Sequence, residues 1–315
     1  MNFRFILQIL AVLMIQSCGD KPTKEAAREL SVIILGIAQD AGYPQAGCNK
    51  DCCKLYYSGK HKSEKVISLG IVDQLNKKIW MVEATPDFKE QWKALRDYSM
   101  LAESKAPDGI FITHAHIGHY TGLTQLGHEV MGAKNVPLYV MPRMEQFIKQ
   151  NGPWSQLINF ENVQFKRLTA DSTIVLSDQI SITPFIVPHR DEYSETVGFK
   201  IFSKKTSILF IPDIDKWEKW NRSIVDEISK VDHALVDATF FKDGEIPGRN
   251  MNEILHPFIE ETISLFSKVN ERERKKIKFI HFNHTNPAIW NDGSRKEIID
   301  AGFTIASEGE VISLY

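Results

Sequence analysis

What this 315-residue sequence lacks narrows it first. Charges of the two signs nearly cancel, at −2 with histidine neutral. No long-range field gathers a polyanion, so nucleic acid is not an expected partner. The basic run Arg272-Glu273-Arg274-Lys275-Lys276 is broken by an acid and reads as a solvated helix end. There is no internal repeat, no low-complexity tract and, after residue 30, no Pro/Gly-rich linker, which leaves one domain over 31–315. Cysteine is scarce: four in all, three of them between Cys48 and Cys53. Long apolar runs are confined to the start of the chain.

That start differs in kind. One basic residue in Met1–Arg4 precedes the apolar stretch Phe5–Ile15, and Ile15-Gln16-Ser17-Cys18 precedes a polar segment. A short apolar core behind a basic start reads as an export signal rather than a membrane span. Ser17-Cys18 resembles a bacterial lipoprotein box. The resemblance implies a signal peptide over 1–17, a lipid on Cys18 and a polar tether over 18–30. The protein is then expected outside the cytoplasm, membrane-anchored in the periplasm or cell envelope; a plain signal peptide with an incidental cysteine is the alternative.

Beyond the tether, short runs rich in branched residues predict strands over Ser31–Ile37, Val66–Gln74, Lys78–Val82, Gly109–Thr113, Val136–Met141, Gln179–Val187, Thr196–Phe202, Ser207–Ile211, Ala234–Ala238, Ile277–Phe282 and Val311–Leu314. Helical periodicity marks Asp87–Leu101, Met144–Gln150, Lys216–Lys230 and Pro257–Val269. Strands in excess, with helices spaced between them, predict two packed sheets covered outside by helices.

The residues with most chemistry in them are His114, His116 and His119, three of the ten histidines, just past a predicted buried strand. Alternate residues of an extended segment point the same way, so His114 and His116 can face one ion. Neutral imidazoles suit zinc, iron or manganese. Thr113-His114-Ala115-His116-Ile117-Gly118-His119 closely resembles the His-x-His-x-Asp-His signature of the metallo-β-lactamase superfamily. Glu83-Ala84-Thr85-Pro86-Asp87, Val187-Pro188-His189, Ile208–Pro212 followed by Asp213, and Phe279-Ile280-His281 are similar, in order, to that family's other strand-end landmarks. The resemblance implies an α/β fold, a four-layer αββα sandwich. The subgroup that Gly42-Tyr43-Pro44-Gln45, Ala84-Thr85-Pro86-Asp87 and Asn283-His284-Thr285-Asn286-Pro287 resemble is that of pyrroloquinoline-quinone biosynthesis protein B and phosphodiesterase-like members.

By this resemblance His114, His116 and His189 would hold a first metal, His119 and His281 a second, and Asp213 would bridge them. Gly118 stands where the family has aspartate, so the second site loses an anionic ligand. One ion acting alone, a weak second ion, or a pocket reused for binding all stay open. In an active site the metal would bring the pKa of water from ~16 towards ~7. The hydroxide so formed would attack a carbonyl or phosphoryl centre, Asp213 would orient it, and His119 or Asp191 would assist.

Three cysteines in Cys48-Asn49-Lys50-Asp51-Cys52-Cys53 are odd for disulfides, and adjacent Cys52 and Cys53 pair only under strain. Three thiolates and one histidine make a closed structural zinc site. Similarity to the phosphodiesterase of the carbon–phosphorus lyase pathway implies His284 as the fourth ligand. His61 is the rival ligand, and a disulfide with a free thiol the rival chemistry.

Arg190 and Tyr193 are candidates for touching substrate, and Asp40 for lining the same mouth or shaping a turn. Trp217 and Trp220, at i and i+3, read as core or lid packing on one helix face, and Arg249-Asn250-Met251 as a candidate lid. His128, His233 and His256 read as structural. The expected function is hydrolysis of an ester or phosphodiester-type small molecule outside the cytoplasm. Alternatives are a mononuclear iron oxidative enzyme or quinone-cofactor-related protein, and a non-catalytic ligand-binding lipoprotein.

Overall fold

The structure is a computed structural model and describes residues 29–101 and 103–315. The expected signal peptide, Cys18 and nearly all of the expected tether lie outside the described residues. One sheet holds β1 (Leu30–Gly36), β2 (Ser68–Asp73), β3 (Lys78–Val82), β4 (Gly109–Phe111), β5 (Val136–Val140) and β6 (Val163–Arg167), in that order. The second holds β7 (Ile174–Val175), β8 (Ser181–Ile186), β9 (Val197–Phe202), β10 (Ser207–Ile211), β11 (His233–Asp237), β12 (Ile277–Ile280) and β13 (Thr304–Ile305). β14 (Val311–Ser313) then returns to the first sheet, antiparallel to β1.

The two-residue period of a strand divides β1 between two cores. Val32 and Ile34 meet residues of the second sheet, among them Ile182, Phe199 and Phe210. Ile33 and Leu35 face outward beneath the helix Phe88–Ser99, against Phe88, Trp92 and Leu95. Burial of β1 on both faces means a further layer lies on each side of it. Ile224, Ile228, Ile259, Phe266 and Ile298, from the helices Ile224–Ser229, Ile259–Leu265 and Asp292–Asp300 and their ends, join the core of the second sheet. The result is the expected αββα sandwich.

β3, β4 and β5 run parallel in one sheet, and β10, β11 and β12 in the other. Their C-terminal ends open at one edge of the sandwich, where loops with freedom to carry polar side chains meet. No helix among the described residues is long and apolar enough to cross a membrane.

Some elements differ from expectation. β6, β7 and β13 were not expected; they are short and partly exposed, so little apolar alternation marks them. The expected helix over Lys216–Lys230 breaks into a short turn, Trp217–Lys219, and the helix Ile224–Ser229, whose Ser223 side chain accepts from Asp226 N–H. Trp220 is extended at the break, so Trp217 and Trp220 share no helix face. Both are core residues all the same: Trp217 Nε1 donates to Thr262 Oγ1 and Trp220 Nε1 to the Ile186 carbonyl.

Candidate metal centre

Past β4 the backbone stays extended to His116 (φ −93, ψ 147) before the single helical turn Ile117–Tyr120. His114 and His116 therefore project together, and His119 is brought round by the turn. The Ala115 N–H donates to Ser194 Oγ at 2.9 Å, tying this loop to the one that follows β8 and carries His189.

Four side chains expected to share an ion do meet. His114 Nε2 and His116 Nδ1 are 2.8 Å apart, and His189 Nε2 is 3.2 Å from His116 Nδ1. Asp213 presents Oδ2 to His114 Nε2 and Oδ1 to His189 Nε2, each at 3.3 Å. One ligand atom from each of these four residues lies within 4.8 Å of every other. A tetrahedral ion with bonds near ~2.1 Å needs nitrogen–nitrogen edges of roughly 3.4 Å, so the arrangement fits a divalent cation.

A second group of the same tightness joins Asp213, Asp237, His256 and His281. Asp237 ends β11, and His281 follows β12 with φ at 68. Glu83, at the end of β3, has φ at 74 and is fully buried. Left-handed backbone at two non-glycine strand ends costs about 1–3 kcal/mol each, and it aims both side chains into the site. His119 faces Asp213 Oδ2 at 3.8 Å and Asp40 Oδ1 at 3.5 Å through Nε2.

The far ring nitrogens face polar groups, as those of metal-ligating histidines usually do, although the His119–Glu83 and His189–Asp215 contacts are ion-pair approaches rather than hydrogen bonds. His114 Nδ1 lies 2.8 Å from Thr113 Oγ1, His116 Nε2 3.2 Å from Glu192 Oε2, and His119 Nδ1 3.2 Å from Glu83 Oε1. His189 Nδ1 faces Asp215 Oδ1 at 3.3 Å, and His281 Nδ1 lies 2.9 Å from Thr239 Oγ1. His256 breaks the pattern. Its Nδ1 is shared between Asp237 Oδ2 at 2.9 Å and Asp213 Oδ1 at 3.1 Å.

Burial and charge set the protonation of the ion-free chain. Burial opposes charge on His256, but Asp237 and Asp213 outweigh it and hold its pKa well above the ordinary value. Burial likewise opposes charge on His119, yet Glu83 and Asp40 raise it to about 10. Burial and then the nearby His119 push His114 well below the ordinary range. Asp213, whose burial alone would raise it, is held well below by His189, His256 and His281. His119 Nε2, His281 Nε2, Asp213 Oδ1 and Asp40 Oδ1 are nonetheless buried without hydrogen bonds. Such orphaned polar atoms are costly. A cation between His119, His281 and Asp40 would satisfy three of them, and one on the His189 side of Asp213 the fourth.

On the opposite side of His281 a second cluster forms. Cys48 and Cys53 Sγ each lie 4.0 Å from Cys52 Sγ, and His284 Nδ1 lies 3.7 Å from Cys52 Sγ and 3.4 Å from Cys53 Sγ. Zinc with bonds of ~2.3 Å to sulfur and ~2.1 Å to nitrogen requires edges of roughly 3.5–3.8 Å. The three thiols are free, so the disulfide alternative is not what the structure has. His61 is not in the group; its Nδ1 lies 2.8 Å from the Lys62 carbonyl oxygen, and its ring sits edge-on to Tyr43.

Of the remaining sequence candidates, Glu192 rather than Arg190 or Tyr193 touches the histidines. Asp191 is engaged elsewhere, accepting from Thr196 Oγ1 at 2.9 Å. His256, read from sequence as structural, stands inside the site, and Asp237 was not singled out at all. A carboxylate closing a buried strand was a signal available for Asp237. His256 lies in an irregular loop with no neighbouring pattern to mark it.

The family pattern of the Beta-lactamase superfamily domain matches residues 80–282, which spans Glu83, all the histidines of the centre and both bridging-edge aspartates. This chain belongs to that superfamily. Among superfamily relatives, Coenzyme PQQ synthesis protein B of Methylorubrum extorquens strain PA1 is 23% identical over 311 residues, covering 90% of this chain and 100% of the relative. The protein of the same name from Acinetobacter baylyi is 24% identical over 282 residues, covering 82% and 91%. The solved structure of zinc-bound PqqB from Methylobacterium extorquens superposes with a TM-score of 0.74 at 20% identity, covering 90% of this chain and all of that one. A diphosphatase of the PhnP family superposes at 0.64 and 22% identity, covering 90% and 96%. At these identities the superpositions speak for the fold.

Proposed function

We propose that this superfamily member is a zinc-dependent hydrolase of an ester or phosphodiester-type small molecule, working outside the cytoplasm from a lipid anchor on Cys18. The observation that carries the reading is Asp213, whose two oxygens face separate sets of histidine nitrogens while His256 sits against it. Zinc held by His114, His116, His189 and Asp213 would supply a nucleophile at neutral pH and take up charge on the attacked oxygen. A zinc on Cys48, Cys52, Cys53 and His284 would be structural. Iron or manganese at the histidine site remains compatible with the ligand set.

The chain's own residues do the rest. Asp213 holds and orients the attacking water. His256, wedged between Asp213 and Asp237, would hydrogen-bond the leaving oxygen, the part first expected of His119. Beside Glu192 a cavity of about 330 Å³ is lined by Arg143, Phe147 and Tyr193 among others. It offers one guanidinium and two rings to the non-reacting part of an anionic substrate.

Turnover of bis-p-nitrophenyl phosphate and p-nitrophenyl acetate by zinc-loaded chain tests this. Asp213→Asn is expected to lose at least about 100-fold in kcat/KM and Asp237→Asn about 10–100-fold. Turnover absent with zinc, manganese and iron alike would sink the hydrolase reading. The full-length likeness to Coenzyme PQQ synthesis protein B favours a second reading, oxidative chemistry on a quinone precursor with iron. Iron rather than zinc in the purified chain, with oxygen consumption in place of hydrolysis, would favour it.

A further inference from the structure

Gly118 breaks the superfamily's motif, and its surroundings say what took the aspartate's place. A Cβ built on Gly118 would come 2.4 Å from Asp40 Cα, 2.6 Å from Asp40 Oδ1 and 3.1 Å from Asp40 Cβ. The volume from which a side chain at 118 would reach the ions is therefore filled by another residue, and that residue is itself a carboxylate. The loop carrying it is fixed in place. Gln39 N–H donates to the Phe282 carbonyl at 2.8 Å, Phe282 N–H to the Ile37 carbonyl at 2.9 Å, and Ala38 bridges both Val66 and Phe282. Asp40 thus hangs two residues from a clamp on the segment that bears His281.

Among the described residues its carboxylate makes no hydrogen bond. Oδ1 is buried without a hydrogen bond and faces His119 Nε2, which is also without one. Asp213 Oδ2 lies 3.8 Å from the same His119 Nε2 and 3.9 Å from His281 Nε2. Glu83, the other acid near His119, is on the far nitrogen of that imidazole and so braces the ring from behind.

We infer that Asp40 is the anionic ligand of a second active-site metal, donated from the loop after β1 to join His119, His281 and shared Asp213, and that Gly118 is glycine because Asp40 occupies its side-chain space. The site is then a two-ion centre assembled from a different part of the chain. The inference concerns ion binding alone, so it can hold or fail independently of the hydrolytic reading.

Zinc titration of the metal-stripped full chain against a chromophoric chelator, with the bound metal counted by mass spectrometry, is the test. Wild type is expected to take three ions, one at the cysteines and two at the histidines. Asp40→Asn is expected to weaken the last of these at least tenfold while the other two are unchanged. Asp40→Glu, which keeps the charge, is expected to retain a third ion. Cobalt-loaded protein should keep its thiolate absorption in every variant, which reports an intact cysteine corner and an intact fold. Asp40→Ser serves in place of Asp40→Asn should the latter aggregate. Only two ions in wild type, or three of unaltered affinity in the neutral variants, would overturn the assignment.

Discussion

Two donor clusters hang from one turn of this chain, three residues apart. His281 faces the carboxylates and imidazoles, and His284 faces the thiols. The cysteine corner draws three donors from six consecutive residues, is closed at four ligands and has edges near those of a tetrahedral zinc. The histidine centre draws its donors from the ends of β4, β10, β11 and β12 and from the loops after β1, β8 and β11, and keeps more donors than one ion can use. A site with four donors and no vacancy can only hold its ion. One with surplus donors and orphaned polar atoms has room for a substrate oxygen. On the proposed reading the first stabilises and the second reacts.

That contrast can be broken experimentally. The largest expected effect is at the closed corner: Cys53→Ser should cost several kcal/mol and lower the thermal midpoint by roughly 10 °C in zinc-containing buffer. A midpoint unchanged by this variant and by chelator would remove the structural role.

Next comes Glu245, which accepts from Phe241 N–H at 2.6 Å and from Thr285 Oγ1, and so ties its loop to the turn that carries both clusters. Burial pushes its pKa from 4.5 up to about 7. The folded state holds this proton longer than the unfolded state, so its contribution is full below pH 4.5 and lost as pH rises through 7. Glu245→Gln, compared with wild type by urea unfolding at pH 4.5 and 8, should therefore gain relative stability with pH, by at most about 3 kcal/mol. A pH-independent difference would refute the assignment.

At the open centre Gly118→Asp should cost about 1–3 kcal/mol by overpacking against Asp40 Cα and should bring no extra metal. A gain in zinc on this substitution would contradict the crowding argument. Smallest is His61→Ala, which forfeits the edge-on contact with Tyr43 at 5.3 Å and should cost about 0.5–1 kcal/mol with the zinc count unchanged.

Much of the molecule was legible beforehand because its signals are local. Buried strands such as Lys78–Val82 and Ser207–Ile211 are continuous apolar runs bounded by polar residues, and their limits agree with β3 and β10. His114 and His116 follow such a run on alternate positions, and the resemblance to the metallo-β-lactamase superfamily implied that His189 and Asp213 would join them. The helix Asp292–Asp300 was not read, because its exposed face is mostly polar and only Ile298 is deeply buried. Asp40 was read as a turn or mouth residue, since nothing in Gln39-Asp40-Ala41-Gly42 points to a histidine some eighty residues on.

Two donor groups and the sandwich that carries them were thus determined by composition and spacing: soft thiols in six residues, imidazoles at a strand end, apolar runs of strand length. Tertiary structure decided which of the remaining acids and histidines join them. It placed Asp237 and His256 against Asp213, turned Asp191 and His61 away, and put the Asp40 carboxylate where Gly118 has no side chain. The reason is geometric. A ligand's type and local spacing are written along the chain, whereas the cavity it must share is enclosed by segments that are distant in sequence and is fixed only when both sheets pack.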